Sequence, residues 1–189
     1  AHLSGPFEVD AITLSPYLGT DSLEPFVEEA AARGKGLFVL VRTSNPGGGW
    51  LQEQQAVDGT PLYRRVAEGL RPLADRLTDD EDGWSSLGTV VGATCPEAGP
   101  TVRRALPRSF ILAPGVGAQG GAPEALTSFC EPTSGLGVLV SSSRGITYPW
   151  RLRSTEPPRT RRELETAVAR ACRTLGERLS PLVPDPPPR

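Results

Sequence analysis

Five short apolar runs alternate with helical segments along this chain, and this alternation limits the folds that it can adopt. The runs are bounded by Gly, Pro or Ser and lie at 9–14, 37–42, 88–93, 109–113 and 137–141. Strands that are apolar at nearly every position are expected where both faces of a parallel sheet are covered. The repeated strand–helix order therefore predicts an α/β fold of parallel strands joined by right-handed crossovers.

The segments between the runs carry the signals of helices. Asp21 followed by Glu24 resembles a capping box, and Gly34 is expected to end the helix that follows. Pro61 opens a second helix, which Pro72 must kink or divide. The remaining predictions are two shorter helices and one clear amphipathic helix, at 96–106, 122–129 and 160–179.

Two architectures fit this order: an open doubly wound sheet and a closed (β/α)8 barrel. A complete barrel has eight strands in roughly 250 residues, whereas this chain has 189. Five strands suit a partial TIM barrel without its first three strands, forming a single incomplete domain over residues 1–180. The segment 181–189 is rich in proline and is predicted to be a disordered tail.

The composition excludes several classes of function. A net charge of −2 gives no basic surface for nucleic acid, and no apolar run approaches the roughly 18 residues of a membrane span. Cys95, Cys130 and Cys172 are far apart and His2 is the only histidine. This argues against a disulfide framework, a metal site and a His-based triad, and it favours a reducing cytoplasm.

A glycine-rich loop follows the fourth run, with the sequence PGVGAQGG at 114–121. The amides of such a loop, including that of Gly117, can converge on an anion, and Gln119 adds a side chain that both donates and accepts hydrogen bonds. The alternative is a flexible βα turn without a ligand.

A second loop, SSSRGI at 141–146, follows the last run. Arg144 presents a planar fork suited to two phosphate oxygens, with Ser143 beside it; alone, it could equally be a surface arginine in a serine-rich turn. Phosphate-binding barrels commonly build the anion site from the loops after strands seven and eight. The pair of loops therefore favours a barrel whose strands four to eight are present.

A third loop, RTSNPGGG at 42–49, follows the second run. Ser44 and Asn45 offer a hydroxyl and an amide that could recognise the edge of a planar heterocycle, although the same residues are common in plain turns. Tyr17, after the first run, is expected to pack at a rim or a subunit contact.

Together these stretches resemble the orotidine 5′-phosphate decarboxylase family, particularly its bacterial branch with the longer chain. The matching segments are VDAITLSPYLG at 9–19, GLFVLVRTSNPG at 36–47, GTVVGATCPE at 88–97, LAPGVGAQGG at 112–121 and SSSRGI at 141–146.

The resemblance implies a carboxy-lyase of de novo pyrimidine biosynthesis that converts orotidine 5′-monophosphate (OMP) to UMP and CO2 without metal or organic cofactor. It also implies a homodimer for the full-length enzyme. By position, Ser44 matches the serine that bonds the pyrimidine, Gln119 the glutamine that bridges base and phosphate, and Arg144 the arginine that grips the phosphate. The complete predicted set of substrate-binding residues is Ser44, Asn45, Pro114, Gly117, Gln119, Ser143 and Arg144.

The lysine-bearing D-x-K-x-x-D motif of that family is absent from these residues. Lys35 is the only lysine and precedes a strand, at the non-catalytic end of a barrel. We therefore assign no catalytic residue here. We expect a fragment that is inactive alone and poorly soluble, because it would expose sheet edges and apolar faces.

Two alternatives remain open at this point. One is another phosphosugar barrel, such as an epimerase or a hexulose-phosphate synthase. The other is an inactive remnant that only binds a phosphate or a pyrimidine nucleotide.

Overall fold

The strands of the sheet lie where the apolar runs predict them. The structure, a computed structural model, describes residues 3–117, 119–152 and 155–182. Every predicted strand is present, with ends shifted by at most three residues. The strands are β1 (Ala11–Leu14), β2 (Gly36–Arg42), β3 (Ser85–Val91), β4 (Ser109–Pro114) and β5 (Val138–Ser141).

The strand order decides between the two architectures that the sequence left open. The sheet runs β1-β2-β3-β4-β5, and every neighbouring pair is parallel. A doubly wound sheet reverses its direction at a switch point, but here each strand pairs with the next strand in the chain. Successive right-handed crossovers in one direction place all connections on one face, so the sheet is part of a barrel wall.

The two faces of the sheet have different surroundings. One face is covered by helices and forms the core, with Val39, Leu87 and Ile111 fully buried. On the opposite face, here called the inner face, the rings of Phe38 and Phe110 are half-buried. Leu139 of this face is 43% exposed. The apolar runs thus supply both faces, and only one of them is fully covered by the described residues.

Helices lie between the strands and after the last of them. They are α1 (Glu24–Arg33), α2 (Gly49–Gln52), α3 (Leu62–Gly69), α4 (Arg71–Arg76), α5 (Ala98–Ala105), α6 (Ser143–Thr147), α7 (Pro149–Leu152) and α8 (Arg161–Leu179). Turns of 3-10 helix occur at Thr20–Leu23, Pro46–Gly48, Pro123–Phe129 and Ser180–Leu182. Within the described ranges, none of these helices is long and apolar enough to cross a membrane.

Two predictions about where helices begin or end are confirmed and one is wrong. Gly34 ends α1 in the left-handed conformation, and Pro72 lies in the first turn of α4, where it separates that helix from α3. The capping box at Asp21 is not formed, because Asp21 lies inside a 3-10 turn and α1 begins one turn later, after Leu23. A capping box does begin α8, between Thr160 and Glu163.

The segment 122–129 forms a 3-10 helix where a helix was predicted. The hydroxyls of Thr127 and Ser128 donate to carbonyls three residues earlier, at Glu124 and Ala125. Such local bonds compete with the regular α-helical pattern. The short helices α6 and α7 were not predicted, because four or five residues are too few to show a helical period. Residues 183–189 of the predicted tail, like His2, lie outside the described residues.

Arg103 of α5 joins the segments beneath β4 and β5. The residue is 5% exposed, and its guanidinium donates to the carbonyls of Phe129, Ser109 and Gly137 at 2.9, 2.7 and 2.8 Å. Its guanidinium carbon also lies 5.7 Å from the centre of the Trp84 ring. Burial lowers the pKa of Arg103 to about 10, so the side chain remains charged at neutral pH.

Replacing Arg103 with Met is expected to destabilise the chain by about 3 kcal/mol, because several buried carbonyls would lose their donor. Urea unfolding followed by circular dichroism measures this. The matched control is Arg104→Met on the exposed side of the same helix, which should change the stability by less than about 0.5 kcal/mol. Equal effects of the two variants would contradict the role assigned to Arg103.

Candidate functional site

The loops after β2, β4 and β5 meet at the carboxyl edge of the sheet and enclose one hollow. Its volume is about 140 Å³. Of the seven residues predicted to bind substrate, five lie in its wall: Ser44, Pro114, Gln119, Ser143 and Arg144. The remaining lining residues are Gly115, Val116, Ser141 and Ser142. The structure therefore brings together three loops that are far apart in the sequence.

Asn45 and Gly117 are placed outside the lining of this hollow. Asn45 is exposed, and its side-chain oxygen accepts a hydrogen bond from Thr43 Oγ1 at 2.6 Å. The amide of Gly117 donates to the carbonyl of Gly121 at 3.0 Å. Both residues shape the loops in which they lie.

The glycine loop is closed by its own backbone. Besides the bond from Gly117, the amide of Gly121 donates to Gly115 O at 3.1 Å and that of Gly120 to Gly117 O at 2.9 Å. The sequence had suggested that the amides of this loop converge on an anion. The amides of Gly117, Gly120 and Gly121 hold the loop in shape.

Gly115 is the residue that lets two of those side chains converge. It has a φ of 98°, in the region that favours glycine. A Cβ atom at this position would lie 2.7 Å from Gln119 Oε1 and 3.0 Å from Ser44 Cβ. The absence of a side chain at position 115 thus allows Gln119 and Ser44 to approach the same point from different loops.

Residues that follow β3 contact the backbone of Ser44. A Cβ atom at Gly92 would lie 2.6 Å from Ser44 Cα, so the two backbones are in close contact. Thr94 Oγ1 donates to the carbonyl of Ser44 at 3.2 Å. These contacts fix the backbone of Ser44 and leave its hydroxyl on the side of the hollow.

A part-buried network holds the beginning of the Ser44 loop. The guanidinium of Arg42 donates to Thr43 O at 2.8 Å and forms an ion pair with Glu53. Gln52 Oε1 accepts from the amide of Thr43 at 2.9 Å. Gln52 of α2 and Glu53 at the end of that helix therefore fix the position at which the chain leaves β2 and continues to Ser44.

The charge in the hollow suits an anion. Arg144 is the only charged residue among the nine that line it. Hydroxyls of four serines and the amide of Gln119 supply neutral hydrogen-bonding groups around it. A phosphate monoester with a polar group attached is the kind of ligand that such a lining can hold.

The same lining contains no side chain that could transfer a proton at neutral pH: the nine residues include no histidine, lysine or carboxylate. Lys35 lies directly before β2, at the opposite end of the sheet. Its ammonium is 3.8 Å from Glu8 Oε1, and its side chain is 13% exposed. The prediction that Lys35 lies at the amino-terminal end of the strands is confirmed.

Comparison with known proteins assigns the family. The sequence model described as "Orotidine 5′-phosphate decarboxylase / HUMPS family" matches residues 2–148. This chain belongs to that family. The decarboxylase from Rhodopirellula baltica is 49% identical over 143 residues, which are 76% of this chain and 46% of the relative. The one from Caldicellulosiruptor bescii is 46% identical over 145 residues, or 77% and 47% of the two chains.

Solved structures of the family share this fold. The Leishmania donovani OMP decarboxylase is 31% identical, with a TM-score of 0.67, and the match covers 92% of this chain and 59% of that one. The UMP synthase of the same organism is 33% identical, with a TM-score of 0.64, over 90% and 33% of the two chains. The family member described here thus spans about half the length of the curated relatives that it matches.

Three residues that shape the site were not identified from the sequence: Gly92, Thr94 and Ser142. A glycine within a strand pattern is a known sign of close backbone approach, so Gly92 carried a usable signal. Thr94 and Ser142 act through contacts with other loops, at separations of 50 and 26 residues. No local pattern reports such contacts.

Gly115→Ala is expected to destabilise the protein by about 1–3 kcal/mol, because alanine is strained at this φ and its methyl group would displace Gln119 or Ser44. Thermal and urea unfolding measure the loss. Gly176→Ala is the control. Gly176 lies in α8 with open space around it, so alanine there should stabilise by about 0.5–1 kcal/mol. A neutral Gly115→Ala would show that the loop has another conformation.

Proposed function

We propose that this chain forms the substrate-binding part of an orotidine 5′-phosphate decarboxylase, which converts OMP to UMP and CO2. The observation that carries the proposal is the single hollow shared by Ser44, Gln119 and Arg144. Separate positions for these side chains would have been incompatible with one nucleotide. Five curated relatives at 40–49% identity, each described as an orotidine 5′-phosphate decarboxylase, support the same reaction.

Each side chain takes a distinct part of the nucleotide. Arg144 binds the phosphate through its planar fork, with Ser143 beside it. Ser44 bonds the edge of the pyrimidine, and Pro114 lines the base pocket. Gln119 reaches between them, since its carboxamide can serve an anion and a neutral polar group at once.

Decarboxylation needs a further group that these residues do not supply. Loss of CO2 leaves negative charge on a ring carbon, which must be stabilised electrostatically and then protonated. A lysine ammonium flanked by carboxylates, as in the family's D-x-K-x-x-D motif, provides both. The lining described here has neither, so turnover depends on a segment that carries that motif. The homodimer and the cytoplasmic location implied by the family are part of this proposal.

Specific observations distinguish the alternative functions of this hollow. The family description also includes HUMPS proteins. Two observations favour a pyrimidine nucleotide over a sugar phosphate as the ligand: Ser44 lies in the hollow, and the relatives are decarboxylases. The absence of a lysine from the lining favours the second candidate, a chain that binds UMP without turning OMP over.

Calorimetric titration of the 189-residue chain tests the binding part. UMP and 6-hydroxy-UMP should bind more tightly than ribose 5-phosphate, because only the nucleotides meet Ser44. Ser44→Ala should weaken UMP about fivefold and leave ribose 5-phosphate unchanged. Arg144→Ala should weaken both by about 30-fold or more.

The control for the lost charge is Arg64→Ala, on an exposed ion pair of α3, which should leave all three affinities unchanged. Equal affinity for UMP and ribose 5-phosphate would contradict the proposal that Ser44 recognises the pyrimidine base. In that case, a generic sugar-phosphate site would describe the hollow better.

A decarboxylation assay tests the catalytic part. The chain alone should release no CO2 from OMP. Addition of a family segment bearing D-x-K-x-x-D should restore release of CO2, and the same segment with its lysine changed to alanine should not. Measurable conversion to UMP by the chain alone would contradict the assignment of the chemistry to the missing motif.

A further inference from the structure

A side-chain hydrogen bond joins the two loops that hold the phosphate-binding groups. Ser142 Oγ donates to the carbonyl of Val116 at 2.9 Å. Ser142 directly follows β5 and precedes α6, a position where serine commonly caps the helix with its hydroxyl. Here its side chain makes no cap bond. The hydroxyl is directed across to the glycine loop instead.

The surroundings of Ser142 leave room for its hydroxyl in this direction. A Cβ atom at Gly145 would lie 2.6 Å from Ser142 Oγ, so a side chain at position 145 would push the hydroxyl away. The acceptor, Val116, is 2% exposed and pairs with Gly121 across the loop. The bond thus joins Ser142 to a buried residue of the glycine loop.

We propose that Ser142 is a positioning residue for the phosphate. Its hydroxyl fixes the glycine loop, with Gln119, relative to the loop that carries Arg144, so that both side chains meet one phosphoryl group. Without this bond, a ligand would have to order the two loops as it binds, which lowers affinity. The inference rests on the proposed function and adds a residue outside the predicted substrate-binding set.

Binding to Ser142→Ala gives the first test. Both UMP and ribose 5-phosphate should bind about fivefold more weakly, since both carry the phosphate. Ser142→Thr, which keeps the hydroxyl, should restore most of the affinity. The control is Ser128→Ala, which removes an exposed hydroxyl that also donates to a backbone carbonyl, that of Ala125. It should leave both affinities unchanged. Full affinity of Ser142→Ala would overturn the proposal.

A double-mutant cycle separates positioning from direct contact. If Ser142 acts through the Gln119 loop, Ser142→Ala should cost much less affinity in a Gln119→Ala background than in the unmodified chain. Strictly additive losses would mean that the hydroxyl contacts the phosphate itself, and would overturn the positioning role.

Amide hydrogen exchange in the free chain gives a test that needs no ligand. Ser142→Ala should accelerate exchange at Gly117 and Gly121, whose amides close the glycine loop. The amides of α1 should be unaffected. Unchanged rates at both glycines would overturn the inference even if nucleotide binding is never observed. Failure of the unmodified chain to bind UMP, with accelerated exchange in the variant, would count against the proposed function alone.

Discussion

The parallel, sequential order of the strands is the constraint on which the rest of the structure depends. It brings the carboxyl ends of β2, β4 and β5 to one edge, so Ser44, Gln119 and Arg144 become neighbours although they are distant in the sequence. The same order places the connections on one face, where they bury the core. Arg103 therefore joins segments beneath β4 and β5, whereas the predicted binding residues lie beyond the opposite ends of these strands.

Much of this arrangement could be predicted because it depends on local patterns. Apolar runs predict the strands, and the loops at 114–121 and 141–146, after consecutive strands, indicate which end of the sheet carries the shared hollow. Local patterns also mislead: Asp21 has the spacing of a capping residue but lies in a 3-10 turn. The glycines at 115–121 show that the backbone is free to turn, but not where its amides point. Ser142 looks like a helix cap, yet its partner is 26 residues away.

The inner face of the sheet carries apolar side chains that a partial barrel covers only in part. Phe38 and Phe110 flank Gly88, where a Cβ atom would lie 2.6 Å from the Phe38 ring, and Trp84 stacks on Phe110 with ring centres 4.9 Å apart. In a closed barrel such side chains fill the interior in layers. In the described residues they cover one another only in part, and Leu139 remains 43% exposed. The apolar character of this face is therefore that of a barrel interior, as expected for the family.

The proposed function separates binding from chemistry, and the contacts available in the hollow give the physical reason. Arg144, Gln119 and Ser44 would address the phosphate and the edge of the base, groups that are the same in OMP and in UMP. Interactions that are equally strong in substrate, transition state and product raise affinity without accelerating the chemical step. Acceleration requires a charge beside the carbon that loses CO2, and the nine lining residues contain one cation, which this assignment places on the phosphate. Under the proposed function, the hollow holds the nucleotide in a fixed orientation, and the lysine that acts on it belongs to the family's D-x-K-x-x-D motif, which these nine residues do not include.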